Sequence, residues 1–366
     1  MKIIQAIASL LSGGAETVVE QLSIELKRQG HEVIVLVLDN FYEEKVEINR
    51  IKNLKENKID VISLNRKPSS RDIKPFLKLN KIIQKFQPEI IHFHSEIVGF
   101  YLIPSLFKSK IIFFQTIHSS SYDNTLISKL LCIKIFKNKI NKIYCSYDAK
   151  IFLEERFGKG VVIENGIKFQ KCINNRDSIL SNLKLKKESF LILIVGRIET
   201  AKNHILLPEI LSILLENNKN IHFIHVGASK NEILLTDLLK KIDELNVGSN
   251  FHFLGLRNDV ANLMFSVDLF LSTSVFEGLP MTALEAMASG VRMLLSPIKE
   301  HCTVFGGKYE VSFPIDHQAK SFADNILMSM FPYSKNNVII QRQIFIDQYS
   351  IEKMTEKHLK TFLNSK

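Results

Sequence analysis

The sequence predicts an α/β chain built from two doubly wound parallel-sheet units in tandem. Three observations predict it. Short apolar, β-branched runs alternate with amphipathic stretches, as in a parallel sheet covered by helices on both faces. The alternation lapses after Asn165-Gly166-Ile167 and restarts at Phe190. A length of 366 residues suits two domains of about 150 residues, each able to bury its own core.

In the first half, Lys2 to Leu10, Glu32 to Leu38, Asp60 to Leu64, Ile90 to His94, Lys110 to Thr116, Lys142 to Ser146 and Gly160 to Ile163 read as strands. Amphipathic helices lie between them, clearest at Glu16 to Gln29, which Gly30 stops, and at Ile73 to Phe86. Residues 168–188 are polar, basic and weakly periodic, and read as a linker. The second half runs strand Phe190 to Val195, helix Ile205 to Glu216, strand Ile221 to Val226, helix Glu232 to Leu245 and strand Phe251 to Leu254. Helix Val260 to Ser266, strand Leu269 to Ser272, helix Met281 to Ser289 and strand Val291 to Leu295 follow, with a last helix at Ile351 to Leu363. The expected division is 1–167, linker 168–188, 189–346, and a C-terminal helix in 347–366. In such folds ligands bind at the carboxyl ends of the strands, here expected in the crevice between the units.

Composition excludes several classes. The hydrophobic fraction of 46% with 23% charged residues fits a globular chain, and no internal repeat is visible. Cys132, Cys145, Cys172 and Cys302 are scattered with no C-x-x-C, which argues against a disulfide framework or a zinc cage and for a reducing compartment. The apolar run Ile3 to Leu11 reads as a first buried strand leading into a helix rather than as a signal peptide, and no run approaches the roughly 18 apolar residues of a membrane span. The excess of 48 Lys and Arg over 38 Asp and Glu, +10, favours an anionic surface or ligand. No nucleic-acid-binding signature accompanies it, so a phosphorylated substrate or anionic lipid is the expected partner and nucleic acid is not.

The most informative segment is Ser274-Val275-Phe276-Glu277-Gly278-Leu279-Pro280-Met281-Thr282-Ala283-Leu284-Glu285-Ala286-Met287-Ala288-Ser289-Gly290. Pro280 suits a first helical turn and Gly290 a helix end. The helix start therefore offers free backbone N–H groups near Leu279 to Thr282, just after Gly278, where amides and dipole favour phosphate. Glu277 before the helix and Glu285 just over one turn into it would accept hydrogen bonds from sugar or ribose hydroxyls rather than hold phosphate. The plain alternative is a capped helix with solvated glutamates. Gly13 and Gly14 after the first strand let backbone approach a ligand, but they are not the G-x-G-x-x-G of a nicotinamide site.

Glu277 to Glu285 resembles the glutamate, seven residues, glutamate motif of retaining glycosyltransferases, in the form found in glycosyltransferase family 4. Ser12-Gly13-Gly14-Ala15-Glu16, Asn165-Gly166-Ile167, Val195-Gly196-Arg197…Lys202-Asn203 and Phe253-Leu254-Gly255…Asp259-Val260 agree in the same order over nearly the whole chain. The resemblance implies the GT-B fold, two facing Rossmann-like domains, with the C-terminal helix packing back towards the N-terminal one. It implies sugar transfer from a nucleoside-diphosphate sugar, a UDP-sugar being favoured, to a glycan or lipid-linked acceptor hydroxyl. It alone supplies retention, and it implies no cofactor and no essential metal. Arg197 and Lys202, at a strand's carboxyl end, would then neutralise the leaving diphosphate; on composition alone a solvated pair is an equal reading. The resemblance places the nucleobase against Leu256 and Arg257, the ribose at Glu285, the transferred sugar at Glu277 and the donor near Gly13 and Gly14. It aligns His118 with the family's active-site histidine, while His94 is a weaker acceptor-side candidate and His92 reads as structural.

Leu126 to Lys142 mixes apolar residues with lysines, and two readings stand: a basic amphipathic helix on an anionic leaflet, or a core helix with a solvated lysine face. Richness in Lys, Asn and Ile suits a low-GC bacterial gene, so the expectation is a cytoplasmic chain, peripheral at the inner face of the plasma membrane, in surface polysaccharide, capsule or O-antigen synthesis. The rival readings are a GT-B-fold sugar-nucleotide epimerase and a non-catalytic GT-B scaffold. Two departures from the family pattern, Arg292 in place of a common proline and Ser296-Pro297-Ile298-Lys299-Glu300 in place of an Asp-Gly-Gly type loop, fall at the sugar-facing edge of the pocket.

Overall fold

The computed structural model describes residues 1–11, 13–67, 74–106, 110–118, 137–168, 173–229, 231–257, 259–277, 280–306, 311–330 and 335–365, the side chains of 335–337 excepted. They fall into two compact units, one of Met1–Lys168 with Gln348–Lys366, the other of Phe169–Asp347.

The first unit holds a seven-stranded parallel sheet. Its strands are β1 (Lys2–Ile7), β2 (Glu32–Asp39), β3 (Asp60–Arg66), β4 (Ile90–Phe93), β5 (Ile112–Ile117), β6 (Ile140–Tyr144) and β7 (Gly160–Val162), in the order β3-β2-β1-β4-β5-β6-β7. Strand order reverses between β1 and β4, where Gln5 stands opposite His92. The near-continuous burial of β1, β2 and β4 explains their unbroken apolar runs, because helices cover both faces. Helices α1 (Gly14–Arg28) and α2 (Lys74–Phe86) supply parts of that cover.

The second unit repeats the plan with six parallel strands. They are β8 (Phe190–Val195), β9 (Ile221–Val226), β10 (Phe251–Phe253), β11 (Leu269–Ser272), β12 (Arg292–Leu295) and β13 (Val311–Ser312), in the order β10-β9-β8-β11-β12-β13. Here the reversal falls between β8 and β11. Helix α3 (Leu207–Asn217) buries Ile210, Leu211 and Leu214 beside Phe322, Ala323 and Ile326 of α4 (Ala319–Ser329). Within the expected linker, Arg176–Asn182 is a helix clasped to this unit. The Arg176 guanidinium bonds the Asp268 carboxylate at 3.0 Å and the Ser189 carbonyl at 2.7 Å.

The C-terminal helix α5 (Ile351–Asn364) packs on the first unit, against α1. Ile167 donates to the Tyr349 carbonyl and accepts from Ile351, each at 2.9 Å, which ties the helix start to the end of the unit's own chain. Met354, His358 and Phe362 recur at helical spacing and are buried; the Phe362 ring lies 4.6 Å from that of Phe114 and 5.6 Å from that of His92.

The structure corrects one expectation. Of Leu126 to Lys142, residues 126–136 lie outside the described residues, and the end of the stretch is not helical: Ile140 and Lys142 belong to β6. Lys142 is buried and donates to the Gln115 side-chain carbonyl at 2.9 Å, so its charge faces the interior of the unit. Among the described residues no helix is long and apolar enough to cross a membrane.

Because Phe362 fills the space beside Phe114, Phe362→Ala is expected to destabilise the first unit by about 3–5 kcal/mol. Urea denaturation followed by hydrogen exchange checks this, with lost protection concentrated in α5 and β5. An unchanged midpoint would mean that α5 is not part of that unit's core.

Candidate functional site

In the second unit, the reversal of strand order makes the loops after β8 and β11 neighbours at the carboxyl edge of the sheet, the place where doubly wound folds bind ligands. The first loop carries Arg197 and Lys202 and the second carries Glu277. Side-chain and backbone contacts stitch them together. Thr273 Oγ1 donates to the Lys202 carbonyl at 2.9 Å, and the Val275 amide donates to the Ala201 carbonyl at 2.9 Å. Lys202 Nζ donates to Glu277 Oε1 at 2.6 Å, and Ser274 Oγ donates to the same oxygen at 2.7 Å.

The backbone around these side chains is held firmly. Gly196 and Ile198 donate to Val226 and Ala228 at 2.9 and 3.1 Å, so the pairing of β8 with β9 continues on either side of Arg197. The Arg197 guanidinium itself is exposed and meets Glu199 at 3.2 Å. An exposed pair of this kind is worth less than about 1 kcal/mol, so a stronger anion displaces it. The Lys202 stem packs 3.5 Å from where a side chain at Gly196 would begin. Gly227 has φ +149°, and a Cβ there would run into the Gly196 carbonyl, so the close approach of these two loops requires glycine.

Helix α6 (Met281–Ser289) has the bounds the sequence suggested. Pro280 stands at the cap, with its carbonyl accepting from Leu284 at 3.1 Å. The first-turn amides of Met281, Thr282 and Ala283 precede that bond and have no intrahelical acceptor. Gly290, in the left-handed region at φ +78°, closes the helix. Glu285 is half-buried on its second turn. Gly278 and Leu279 lie outside the described residues. At the end of β10, Arg257 forms a two-pronged pair with Asp259 at 2.8 and 2.7 Å, which holds the Asp259 carboxyl below the usual range, and Leu256 beside it is 62% exposed.

Sequence reasoning missed Ser274, Ser296 and His301. Ser296 Oγ donates to the Ser274 carbonyl at 2.5 Å, and His301 Nδ1 lies 2.9 Å from the Ser296 carbonyl, so Nδ1 carries the proton. Burial pushes the His301 ring down to about 4, with Lys202 adding and Glu277 opposing. Serines have no spacing signature. His301 directly follows the segment Ser296 to Glu300 that departs from the family pattern, and that departure was the available signal.

The first unit holds the remaining candidates. Gly13 is extended before α1 and accepts from the Thr17 amide at 3.2 Å, while Gly14 opens the helix; Ser12 lies outside the described residues. His94 and His118, read separately from the sequence, are partners: Nδ1 of His94 lies 2.9 Å from Nε2 of His118. His92 is fully buried and its Nε2 meets Thr116 Oγ1 at 2.7 Å, which fits a structural role. Among the described residues no three His, Cys, Asp or Glu side chains gather to hold a metal ion.

Two doubly wound parallel-sheet units of this kind constitute the GT-B fold, and comparison with known proteins places the chain within it. Residues 12–171 match the family model Glycosyltransferase Family 4, and residues 175–330 match Glycosyl transferases group 1. The chain is 30% identical over 254 residues to the Escherichia coli UDP-Gal:alpha-D-GlcNAc-diphosphoundecaprenol alpha-1,3-galactosyltransferase, a match covering 64% of each chain and so just under two thirds of that relative's length. It is 27% identical over 271 residues to the capsular polysaccharide biosynthesis glycosyltransferase CapH of Staphylococcus aureus, covering 70% of this chain and 73% of CapH. In fold it matches a glycosyltransferase from Rickettsia africae (TM-score 0.83, 18% identity, 99% and 97% of the two chains). It also matches HepE of Anabaena in complex with UDP and glucose (TM-score 0.83, 16% identity, 100% of both chains). The chain belongs to the family 4 type of GT-B glycosyltransferases.

Two expectations follow from this geometry. Gly227→Ala forces a side chain into the Gly196 carbonyl and is expected to cost at least about 2 kcal/mol by urea denaturation, which an unaltered midpoint would refute. The second concerns pH. Burial holds His225, His301, His118 and His358 at about 4, while the unfolded rings protonate near pH ~6.5. Between those values only the unfolded chain takes up the protons. Stability should be level above pH ~7 and fall as pH drops from ~6.5 towards 4, by up to about 1.4 kcal/mol per pH unit for each ring. Denaturation midpoints across that window test it, and stability rising on acidification would contradict it.

Proposed function

We propose that the chain transfers a sugar from a nucleoside-diphosphate sugar, a UDP-sugar being favoured, to an acceptor hydroxyl, in the assembly of a bacterial surface polysaccharide. The observation that carries this reading is the Lys202–Glu277 pair at 2.6 Å, set beside the opening amides of α6 at the switch point of the second sheet. A diphosphate is a stronger partner for Lys202 than one carboxylate already shared with Ser274. Lys202 and Arg197, with the α6 amides, would stabilise the charge that develops as the bond between sugar and diphosphate breaks. Glu277 then accepts from hydroxyls of the transferred sugar, Glu285 from the ribose, and Leu256 and Arg257 flank the base. With two fixed cations in this role, the reaction needs no essential metal. Retention at the anomeric carbon rests on the family resemblance.

The Escherichia coli relative is named for an acceptor sugar on diphosphoundecaprenol, and CapH for capsule synthesis. The first favours a lipid-linked acceptor here, met at the inner face of the membrane, and the second a surface polysaccharide as the product. Both relatives are named as glycosyltransferases, which weighs against the epimerase and scaffold readings.

A thermal-shift screen of UDP-, GDP- and ADP-sugars tests the donor, since a ligand of the folded state raises its melting point. Lys202→Ala and Arg197→Ala are expected to lower kcat by about a hundredfold to a thousandfold, the loss typical of removing one charge-stabilising group. Turnover with a UDP-sugar and a lipid-diphosphate sugar, read by mass spectrometry of the product, measures it. Full activity in Lys202→Ala, or a nucleotide sugar rearranged without any acceptor, sinks the reading.

A further inference from the structure

Strands β1, β4 and β5 lie side by side, and three polar side chains follow their order: Gln5 on β1, His94 one residue past β4 and His118 one residue past β5. They form a continuous line. Gln5 Oε1 lies 2.8 Å from His94 Nε2, and His94 Nδ1 lies 2.9 Å from His118 Nε2. The two imidazoles are stacked, with ring centres 5.2 Å apart and planes 25° from parallel. His92 packs over His94 at 4.2 Å but bonds to Thr116, so it flanks the line without joining it. Gln5 and His94 are both buried.

A neutral imidazole has one N–H and one lone pair, so such a line has a direction. Burial, reinforced by the neighbouring rings, keeps His94 and His118 uncharged at neutral pH. The Gln5 oxygen only accepts, so His94 Nε2 donates to it and His94 Nδ1 is left to accept. His118 Nε2 must then donate to His94 Nδ1. His118 Nδ1 is left as a bare lone pair, and it is a buried nitrogen with no hydrogen-bond partner among the described residues.

We propose that Gln5 and His94 are positioning residues that fix the tautomer of His118 and so present its Nδ1 as an acceptor for one hydroxyl of the transferred sugar. For the identity of that ligand the inference rests on the transferase reading; the tautomer does not depend on it. The consequence is selectivity. A bare nitrogen accepts from a hydroxyl, but it gains nothing from an ether, carbonyl or phosphate oxygen, and a site built this way discriminates against sugars that lack the hydroxyl.

Long-range nitrogen–proton correlation spectra of the full ¹⁵N-labelled chain at neutral pH report which ring nitrogen carries the proton, with His118 assigned from the signals lost in His118→Gln. The expected result is a proton on Nε2 and none on Nδ1. Gln5→Met and His94→Leu remove the directing partners and should give a mixture of tautomers. His94→Asn places an amide carbonyl where Nδ1 stood and should restore the single form. With UDP-galactose or UDP-glucose, whichever is turned over, Gln5→Met and His94→Leu should lower kcat/KM about three- to tenfold, the value of one neutral hydrogen bond. The Kd of UDP, which lacks the sugar, should not move, whereas a general loss of structure would weaken it too. A proton on Nδ1 in the wild-type chain overturns the proposal, as does a His118 tautomer indifferent to both substitutions. A chain with the expected tautomer that turns over no nucleotide sugar sinks the transferase reading and leaves the positioning intact.

Discussion

The second unit is organised around one constraint, the meeting of the loops after β8 and β11. Reversal of strand order sends the helices that follow these strands to opposite faces, so their loops diverge from the sheet and leave a crevice at its edge. Thr273 and Val275 then tie the second loop to the backbone of Ala201 and Lys202, which fixes where the Lys202 ammonium meets Glu277. A half-buried ion pair adds little net stability, because desolvation offsets most of the attraction. Its contribution is positional. It keeps a cation aimed at the same edge as the opening amides of α6, with glycine at 227, where a side chain would run into the Gly196 carbonyl and hold the loops apart.

The first unit uses a different device at its own strand ends. Beside the ends of β4 and β5 stand four uncharged imidazoles, His92, His94, His118 and His358, bonded to one another or to Gln5, Thr116 and the Met354 carbonyl. Charged groups there would need partners to repay desolvation, whereas neutral rings need only one donor and one acceptor each. The C-terminal helix completes this arrangement by bringing His358 and Phe362 against His92. The second unit contains a comparable pair, His204 and His225, 3.2 Å apart behind the loop that carries Lys202.

Much of the architecture was legible because parallel strands buried on both faces leave unbroken apolar runs. Elements with thin burial were not. The helix Lys45–Glu56 buries only Glu47 and Leu54, too little to leave a helical period among its charges. Lys142 misled for the opposite reason: lysine is so rarely buried that it reads as surface, yet here it donates to the Gln115 side-chain carbonyl inside the sheet. Glu277, Arg197, Lys202 and His118 were legible as candidates through motif and position. Ser274, Ser296, His301 and Gln5 were not, because their significance lies in partners 3, 22, 5 and 89 residues away.

The sequence by itself determined the two tandem parallel sheets, the family, and the helix start that offers free amides just after Pro280, since these depend on local periodicity, capping chemistry and contiguous motif. Only the tertiary structure decided that Lys202 meets Glu277 and that His94 meets His118. Each of those joins residues from separate strands. Which strand ends become neighbours depends on the order of strands in the sheet, and that order follows from packing across the whole unit rather than from any local stretch of chain.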